Sequence, residues 1–386
     1  MACGNRNHFC KIQGKYHLMK APIEILLRIT PNYAVFLSRV RARIIRLTLK
    51  FLDLQRNNLT RLWCGEFLGE VRSKKLATYS TNSVFEASHG RDYTREIIAF
   101  PNRELVEVYD VNLDTKTGMI FTDKKQIVEE SSSWPGAQLI LNSIPFPLWP
   151  RKLKEGGVEK CILLPGNSFY HWLIEDLPPF LFALQEVQNP VVLVYSGAPS
   201  FVLQFADSLP CKVIKVPRYL SMERYLFTTK NPCSGWPEPV DINLLRKYFS
   251  KGIERPEAGK KIYISRLNSA RSPSIEKVLV ELLVNEGWQI LYTENMDLLE
   301  QIRVISAANV VCGVGGAGLS HITWLGEGAK VIELSPNWYV PCFSRLSQVL
   351  GIEYKSIFFE QNSMTASDVY AEIDSIVNLT PKRFSY

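Results

Sequence analysis

From residue 160 onward the chain alternates short, continuous apolar runs with helix-like stretches, and this rhythm constrains the fold more than any other feature. A first series reads "KCILLP", "PVVLVYS" and "CKVIKVP", separated by helix-like stretches at 168–188 and 199–208, and closes on "YLFTTK". After a helix-like 239–253 comes a second series: "KKIYISR", "WQILYT", "NVVCGV", "KVIELS" and "YKSIFF". Helical patterns lie between these runs, near 274–287, 297–308, 317–326, 342–350 and 366–378. Strands that are apolar at every position are buried on both faces, so helices must cover them, and βαβ units with parallel sheets follow. Two such series imply an α/β protein of two domains, with the boundary in the turn-rich "NPCSGWPEP" at 231–239. Ligands of such sheets bind beyond the carboxyl ends of the strands, so the chemistry is expected in a cleft between the domains.

The part before residue 160 is of another kind. Residues 60–160 mix β-prone pieces such as "LVEVYDVNL" and "GMIFTD" with turns and the proline-rich "WPGAQLILNSIPFPLWP", which reads as an irregular, partly antiparallel region. Further upstream, Leu37, Val40, Ile44, Leu47 and Phe51 recur at helical spacing over 35–52, while Arg39, Arg43, Arg46 and Lys50 recur on another face. That is a basic amphipathic helix, suited either to an anionic membrane surface or to packing on the body or another subunit. Residues 1–52 hold ten Lys/Arg against one acid, whereas the rest holds 35 bases and 37 acids. The net charge of +7 is thus confined to this segment, and the near-neutral body argues against broad nucleic-acid binding. The eight cysteines form no C-x-x-C, as expected of a reducing compartment. His8 lies between Cys3 and Cys10, but no second ligand pair has a recognised spacing, so no metal is assigned. With no apolar run long enough to span a bilayer and no signal-peptide pattern, the expected location is cytoplasmic, or peripheral on the inner membrane face through residues 35–52.

Three segments carry candidate chemistry. In "GNSFYHWLIEDLPPFLFAL" (166–184), His171, Glu175 and Asp176 cluster on neighbouring helix faces, in a helix kept short or kinked by Pro178 and Pro179. An imidazole beside a carboxylate is a ready general base, because the acid orients the ring and supports its protonated form. In "YISRLNSARS" (263–272), a strand ends and then presents Ser265, Arg266 and Arg271, an arrangement suited to a phosphate clamp. In "CGVGGAGLSH" (312–321), Gly313, Gly315 and Gly318 fit G-x-G-x-x-G, and Glu333 follows at the end of the next apolar run, where it could hold ribose hydroxyls. Glycines let backbone amides approach a phosphate, and a helix starting near Gly316 would add positive potential. A dinucleotide fold usually places this loop after its first strand, yet here at least two strands of the series precede it. The loop therefore reads as a phosphate site late in a smaller α/β domain.

Taken in order, these blocks resemble glycosyltransferase family 61, in a bacterial-type form. "GNSFYHWLIEDLPPFL" is similar to that family's Asn-x-x-x-His-Trp-x-x-x-Asp-x-x-Pro block, and "YISRLNSAR" and "EQIRVISAANVVCGVGGAGLSHITWLGEGAKVIELSP" look like the rest of its signature, from about 160 to 336. The resemblance implies two Rossmann-like domains facing a cleft (GT-B-like), over 59–238 and 239–386, behind a basic helical segment 1–58. It implies inverting, metal-independent transfer of a sugar from a nucleotide-sugar donor to a glycan or glycolipid acceptor, with no cofactor; the sequence has no Asp-x-Asp. Carried over by position, Asn167, His171 and Asp176 match the first block, Ser265 and Arg266 the basic one, and Gly316, Ala317, Gly318 and Glu333 the glycine-rich one. Asp176 is favoured over His171 as the base, with Glu175 and Asn167 as acceptor-side or structural groups. The family's usual His before Gly-Ala-Gly-Leu is here Gly315, and His321 stands where the family often has Asn. That departure leaves three outcomes open: altered donor contacts, transfer of the role to His321, or a non-catalytic nucleotide-sugar binder. An NAD-dependent oxidoreductase is the alternative from another enzyme class.

Overall fold

The computed structural model of the chain describes residues 61–63, 66–68, 71–79, 84–88, 95–121, 128–131, 151–152, 160–166, 168–231, 234–249, 259–269, 271–336, 340–360 and 363–378. These all belong to one contact-defined unit. The basic helix expected over 35–52 and the motif residue Asn167 lie outside the described residues.

The fold is α/β, built on two sheets. The apolar runs of the first series become β3 (Cys161–Leu164), β4 (Val191–Tyr195) and β5 (Lys212–Val216). The region before residue 160, expected to be irregular and partly antiparallel, supplies β1 (Ser73–Tyr79) and β2 (Arg103–Asp114). The long β6 (Tyr219–Thr228) joins the two parts. The strand order is β5-β4-β3-β6-β2-β1. Neighbours are parallel from β5 to β6, while β2 runs antiparallel to β6 and β1 antiparallel to β2. Short strands Met119–Phe121 and Arg151–Lys152 add to β2 and β6. Hairpins pair Arg61–Trp63 with Glu66–Leu68 and Val84–Ser88 with Arg95–Ala99. All four residues of β3 are buried, as a strand covered on both faces must be.

The second sheet is wholly parallel: β7 (Lys260–Ile264), β8 (Gln289–Leu291), β9 (Ala308–Val314), β10 (Lys330–Pro336) and β11 (Glu353–Phe359), in the order β8-β7-β9-β10-β11. Successive side chains of a strand point to opposite faces. Accordingly Tyr263, Cys312 and Ile332 share one apolar cluster with Leu279, Leu283, Val369 and Ile373, while Ile262, Ile264, Val311 and Val331 belong to another. The chain winds from β7 to β8 on one side, then returns past β7 to lay down β9. The order 2-1-3-4-5 has its reversal between β7 and β9, and at such a point the loops part into a crevice at the strands' carboxyl ends.

Helices α1 (Leu177–Glu186), α2 (Ser200–Asp207) and α3 (Pro239–Phe249) accompany the first sheet; α4 (Glu276–Asn285), α5 (Leu298–Ser306), α6 (Cys342–Leu350) and α7 (Ala366–Asn378) accompany the second. A single apolar cluster runs from Trp172, Phe205 and Phe249 through Leu319, Ile322 and Trp324 to Leu346, so the two sheets share a core. Among the described residues no helix is long and apolar enough to cross a membrane.

Two local expectations need correction. Pro178 and Pro179 neither end nor shorten their helix. They occupy the first turn of α1, where a missing N–H is tolerated, directly after a wide π turn over Trp172–Asp176. In that turn the Leu177 N–H reaches the Trp172 carbonyl, five residues back. The helix expected after Gly316 is present over Ala317–Trp324, but wound as a 3₁₀ helix.

Candidate functional site

The candidate residues stand at three strand ends. Past β3, the chain makes one helical turn, Phe169–His171, before the π turn. Trp172 anchors this turn: its indole is fully buried, 5.0 Å from the Phe201 ring and 5.7 Å from that of Phe205. The two adjacent acids of the π turn then part company. Glu175 faces His171, whose Nδ1 lies 2.9 Å from Glu175 Oε2. Asp176 turns the other way and accepts from Lys230 Nζ at 2.5 Å. The Lys230 ammonium also donates to the Thr117 carbonyl at 3.2 Å.

Glu175 is held by more than the imidazole. The Gly235 N–H donates to its Oε1 at 2.7 Å, and the Ser234 hydroxyl lies 2.9 Å from Oε1 and 3.1 Å from Oε2. Burial pulls the His171 pKa down, but the hydrogen bond and charge of Glu175, with a contribution from Asp176, more than offset it and leave the pKa above the usual histidine value. Burial raises the Asp176 carboxyl, and Lys230 counters only part of that. The His171 side chain keeps 30% exposure, whereas Glu175 and Asp176 are nearly closed off.

Past β7, Glu276 organises the basic loop. Fully buried in the first turn of α4, it accepts from the Arg266 N–H at 2.6 Å, Ser272 Oγ at 2.5 Å, Tyr263 OH at 3.2 Å and Ser265 Oγ at 3.3 Å. So restrained, the loop lays the Arg266 guanidinium across the switch point, where Nη1 donates to the Gly315 carbonyl. Burial and the nearby Arg271 both lower the Arg266 pKa, so two cations share this spot. Among the described residues no group of His, Cys, Asp and Glu side chains is arranged to hold a metal ion.

Past β9, the glycines of "CGVGGAGL" are explained by space. A Cβ on Gly316 would stand 2.3 Å from Arg266 Nη1, and one on Gly315 would stand 2.5 Å from Glu333 Oε1. A Cβ on Gly318 would press on Ile264 at 3.2 Å, where the 3₁₀ helix meets β7. Thus a side chain at 315, where the resembling family usually has His, would require the Glu333 carboxyl to move. That carboxyl is 1% exposed and takes a 2.6 Å hydrogen bond from the Tyr354 hydroxyl. Burial raises its pKa to about 7, against the lowering effect of Tyr354. Ala317 is partly buried beside these glycines. His321 lies beneath the loop, 1% exposed and tilted against the Phe169 ring at 4.7 Å. Burial lowers its pKa to about 3, so it is neutral at physiological pH.

The buried Glu333 predicts an unusual pH effect. In the unfolded chain its carboxyl titrates near 4.5, in the folded chain near 7. Between those values the folded state binds the extra proton, so its contribution to stability falls as pH rises from about 4.5 to about 7 and is level above. Glu333→Gln should therefore melt like wild type near pH 4.5 and be more stable at pH 8 by on the order of 1–3 kcal/mol. Thermal melts at both pH values check this; a variant less stable at pH 8 would refute it.

The structure thus brings His171, Glu175 and Asp176 together around one turn, and Ser265, Arg266, Arg271, Gly315, Gly316 and Glu333 around the switch point. Helix α6 links the groups: Arg345 donates to the Gly235 carbonyl at 3.2 Å, and Cys342 lies close enough to feel both Glu333 and Arg345. Sequence reasoning missed Lys230, Ser234, Gly235, Glu276, Arg345 and Tyr354. Only Glu276 left a local trace, as an acid in the first turn of a helix expected near 274–287.

Residues 169–332 match the model of the family described as Glycosyltransferase 61. The beta-1,2-xylosyltransferase RCN11 of Oryza sativa subsp. japonica is 33% identical over 84 residues. That stretch is 22% of this chain and spans only 16% of the relative. The likeness to glycosyltransferase family 61 thus extends over residues 169–332 of the chain.

Proposed function

We propose that the chain is an inverting, metal-independent glycosyltransferase that moves a hexosyl or pentosyl group from a nucleotide-sugar donor to a hydroxyl of a glycan or glycolipid acceptor. The observation that carries this reading is the Arg266 guanidinium laid over Gly315 and Gly316 at the switch point of a doubly wound sheet. The leaving group is a nucleoside diphosphate, whose charge must be met as its bond to the sugar breaks. Arg266, Arg271 and the backbone of 315–318 would meet it with preorganised donors. Ser265 shapes that loop, and Glu333, expected from the sequence to take the ribose hydroxyls, is buried behind Gly315 and would support the loop instead.

On the opposite side His171 would accept the acceptor's hydroxyl proton as the oxygen attacks the anomeric carbon from the face away from the diphosphate, inverting it. The base role moves from Asp176, which Lys230 pins, to His171, and Asp176 supports the imidazolium at a distance. In this reading 59–238 and 239–386 act as acceptor and donor halves of a GT-B-like pair, and residues 35–52 would hold the chain at a membrane bearing a glycolipid acceptor. A non-catalytic nucleotide-sugar binder is favoured by one observation, the glycine at 315 with the Glu333 carboxyl against it.

Thermal shift with UDP, GDP, a panel of nucleotide sugars and NAD(H), followed by a nucleotide-release assay, tests these readings. A ligand at 100 times its Kd stabilises by about 2.7 kcal/mol. Nucleotide or nucleotide-sugar stabilisation is expected, and Gly316→Ala should abolish it, because the new methyl displaces the Arg266 guanidinium. Stabilisation by NAD(H) alone would sink the proposal, and stabilisation without nucleotide release across acceptors would favour the binder.

A further inference from the structure

Resting on the reading of His171 as the base, we propose that Ser234, Gly235 and Arg345 form a clamp that sets which nitrogen of His171 carries the proton. Arg345, on α6 beside the second sheet, is a positioning residue acting on an imidazole that belongs to the first. A carboxylate can only accept hydrogen bonds, so the contact between His171 Nδ1 and Glu175 Oε2 at 2.9 Å requires the proton on Nδ1. The lone pair is then on Nε2, the nitrogen that can take a proton from a substrate.

That assignment holds only while Glu175 points at the ring, and the Ser234–Gly235 turn keeps it there. The Gly235 N–H at 2.7 Å and the Ser234 hydroxyl at 2.9 Å hold Oε1, and the same hydroxyl reaches Oε2 at 3.1 Å, so the carboxylate is kept turned with Oε2 toward the imidazole. Ser234 Oγ also stands 3.3 Å from His171 Nδ1, so a turn displaced or rotated would offer the ring a hydroxyl, which can donate as well as accept. Gly235 sits at φ +79, a conformation open to glycine at little cost, and so the turn can present its N–H inward. Arg345 secures the turn from outside. Its guanidinium stacks 3.5 Å above the Trp236 ring, donates to the Gly235 carbonyl at 3.2 Å, and is 8% exposed. Asn231 Nδ2 holds the Trp236 carbonyl at 3.1 Å. The chain of contacts runs from α6 through Arg345, Gly235 and Glu175 to His171, so the half that binds donor orients the group that receives the proton. Among the described residues Asp176 and Lys230 also act on the charge of His171, both on the first-sheet side and both outside the clamp.

The test needs no substrate. The full chain, labelled with ¹⁵N-histidine, is examined by long-range proton–nitrogen correlation above the imidazole's pKa, with His171→Gln assigning the signal. The expected wild-type spectrum shows Nδ1 protonated and Nε2 unprotonated. Ser234→Ala and Arg345→Met should each lose that signature, the two nitrogens converging on averaged shifts, and Arg345→Lys should restore it in part. A circular dichroism melt identifies any variant that fails to fold; Ser234→Ala, which removes one hydroxyl, then decides alone. An unchanged Nδ1–H signature in the folded variants overturns the clamp and leaves the base assignment standing. Full turnover of His171→Ala overturns the base assignment and leaves the clamp standing.

Discussion

His171→Ala is expected to lower sugar transfer by roughly 10²–10⁴-fold, the usual worth of a positioned general base. The measurement is nucleotide release with the donor that stabilises the protein, compared with wild type at matched folding. Full turnover in the variant would remove His171 from the mechanism. Proton acceptance requires the neutral ring, so the rate should rise with pH through the folded pKa of His171, which lies above the ordinary 6.5. Glu175→Gln removes the charge that helps hold it there and leaves at most a neutral acceptor, while burial still pulls it down. The acidic limb of kcat/KM should therefore move to lower pH in that variant, and a limb that stays in place would show that another group titrates.

The largest stability loss is expected from Arg103→Met. Arg103 enters at the start of β2, is 2% exposed, and ion-pairs with both Glu238, just before α3, and Asp241, in its first turn. Burial raises the Asp241 pKa and raises that of the nearby Tyr79 hydroxyl, so neither group welcomes further charge. Methionine fills most of the volume but leaves two buried carboxylates facing each other without a cation. Removing one partner of a buried ion pair costs about 3–5 kcal/mol, against a total stability of about 5–15 kcal/mol for a typical domain. Urea melts should show this loss, largest at neutral pH and smaller where acid neutralises the carboxylates. A change under 1 kcal/mol would mean that the charges were not sealed from water.

Much of the architecture was open to reading because apolar runs such as "KCILLP" and "KVIELS" admit little besides buried parallel strands. Each became β3 or β10 close to its expected limits. The antiparallel half was less legible: β2 pairs with β6 across more than a hundred residues, and nothing local sets that register. The candidate site divides in the same way. Arg266 and the glycines were visible because strand ends and small residues are local marks. Lys230 and Gly235 were not, because their roles depend on contacts 54 and 60 residues distant in sequence. The favoured role for Asp176 came with the family resemblance, and nothing local to its segment showed that Lys230 would hold its carboxylate.

That wide turn also lets two adjacent carboxyls serve separate neighbours. A π turn is an α-helix that has taken in one extra residue, and each residue advances a helix by about 100°. Two consecutive acids on an ordinary helix would look in roughly fixed directions at the same depth. Here the added residue is absorbed before Pro178, so α1 stays seated in its core while Glu175 and Asp176 serve different neighbours. Either carboxyl can therefore exchange its partner without moving α1 or the other acid.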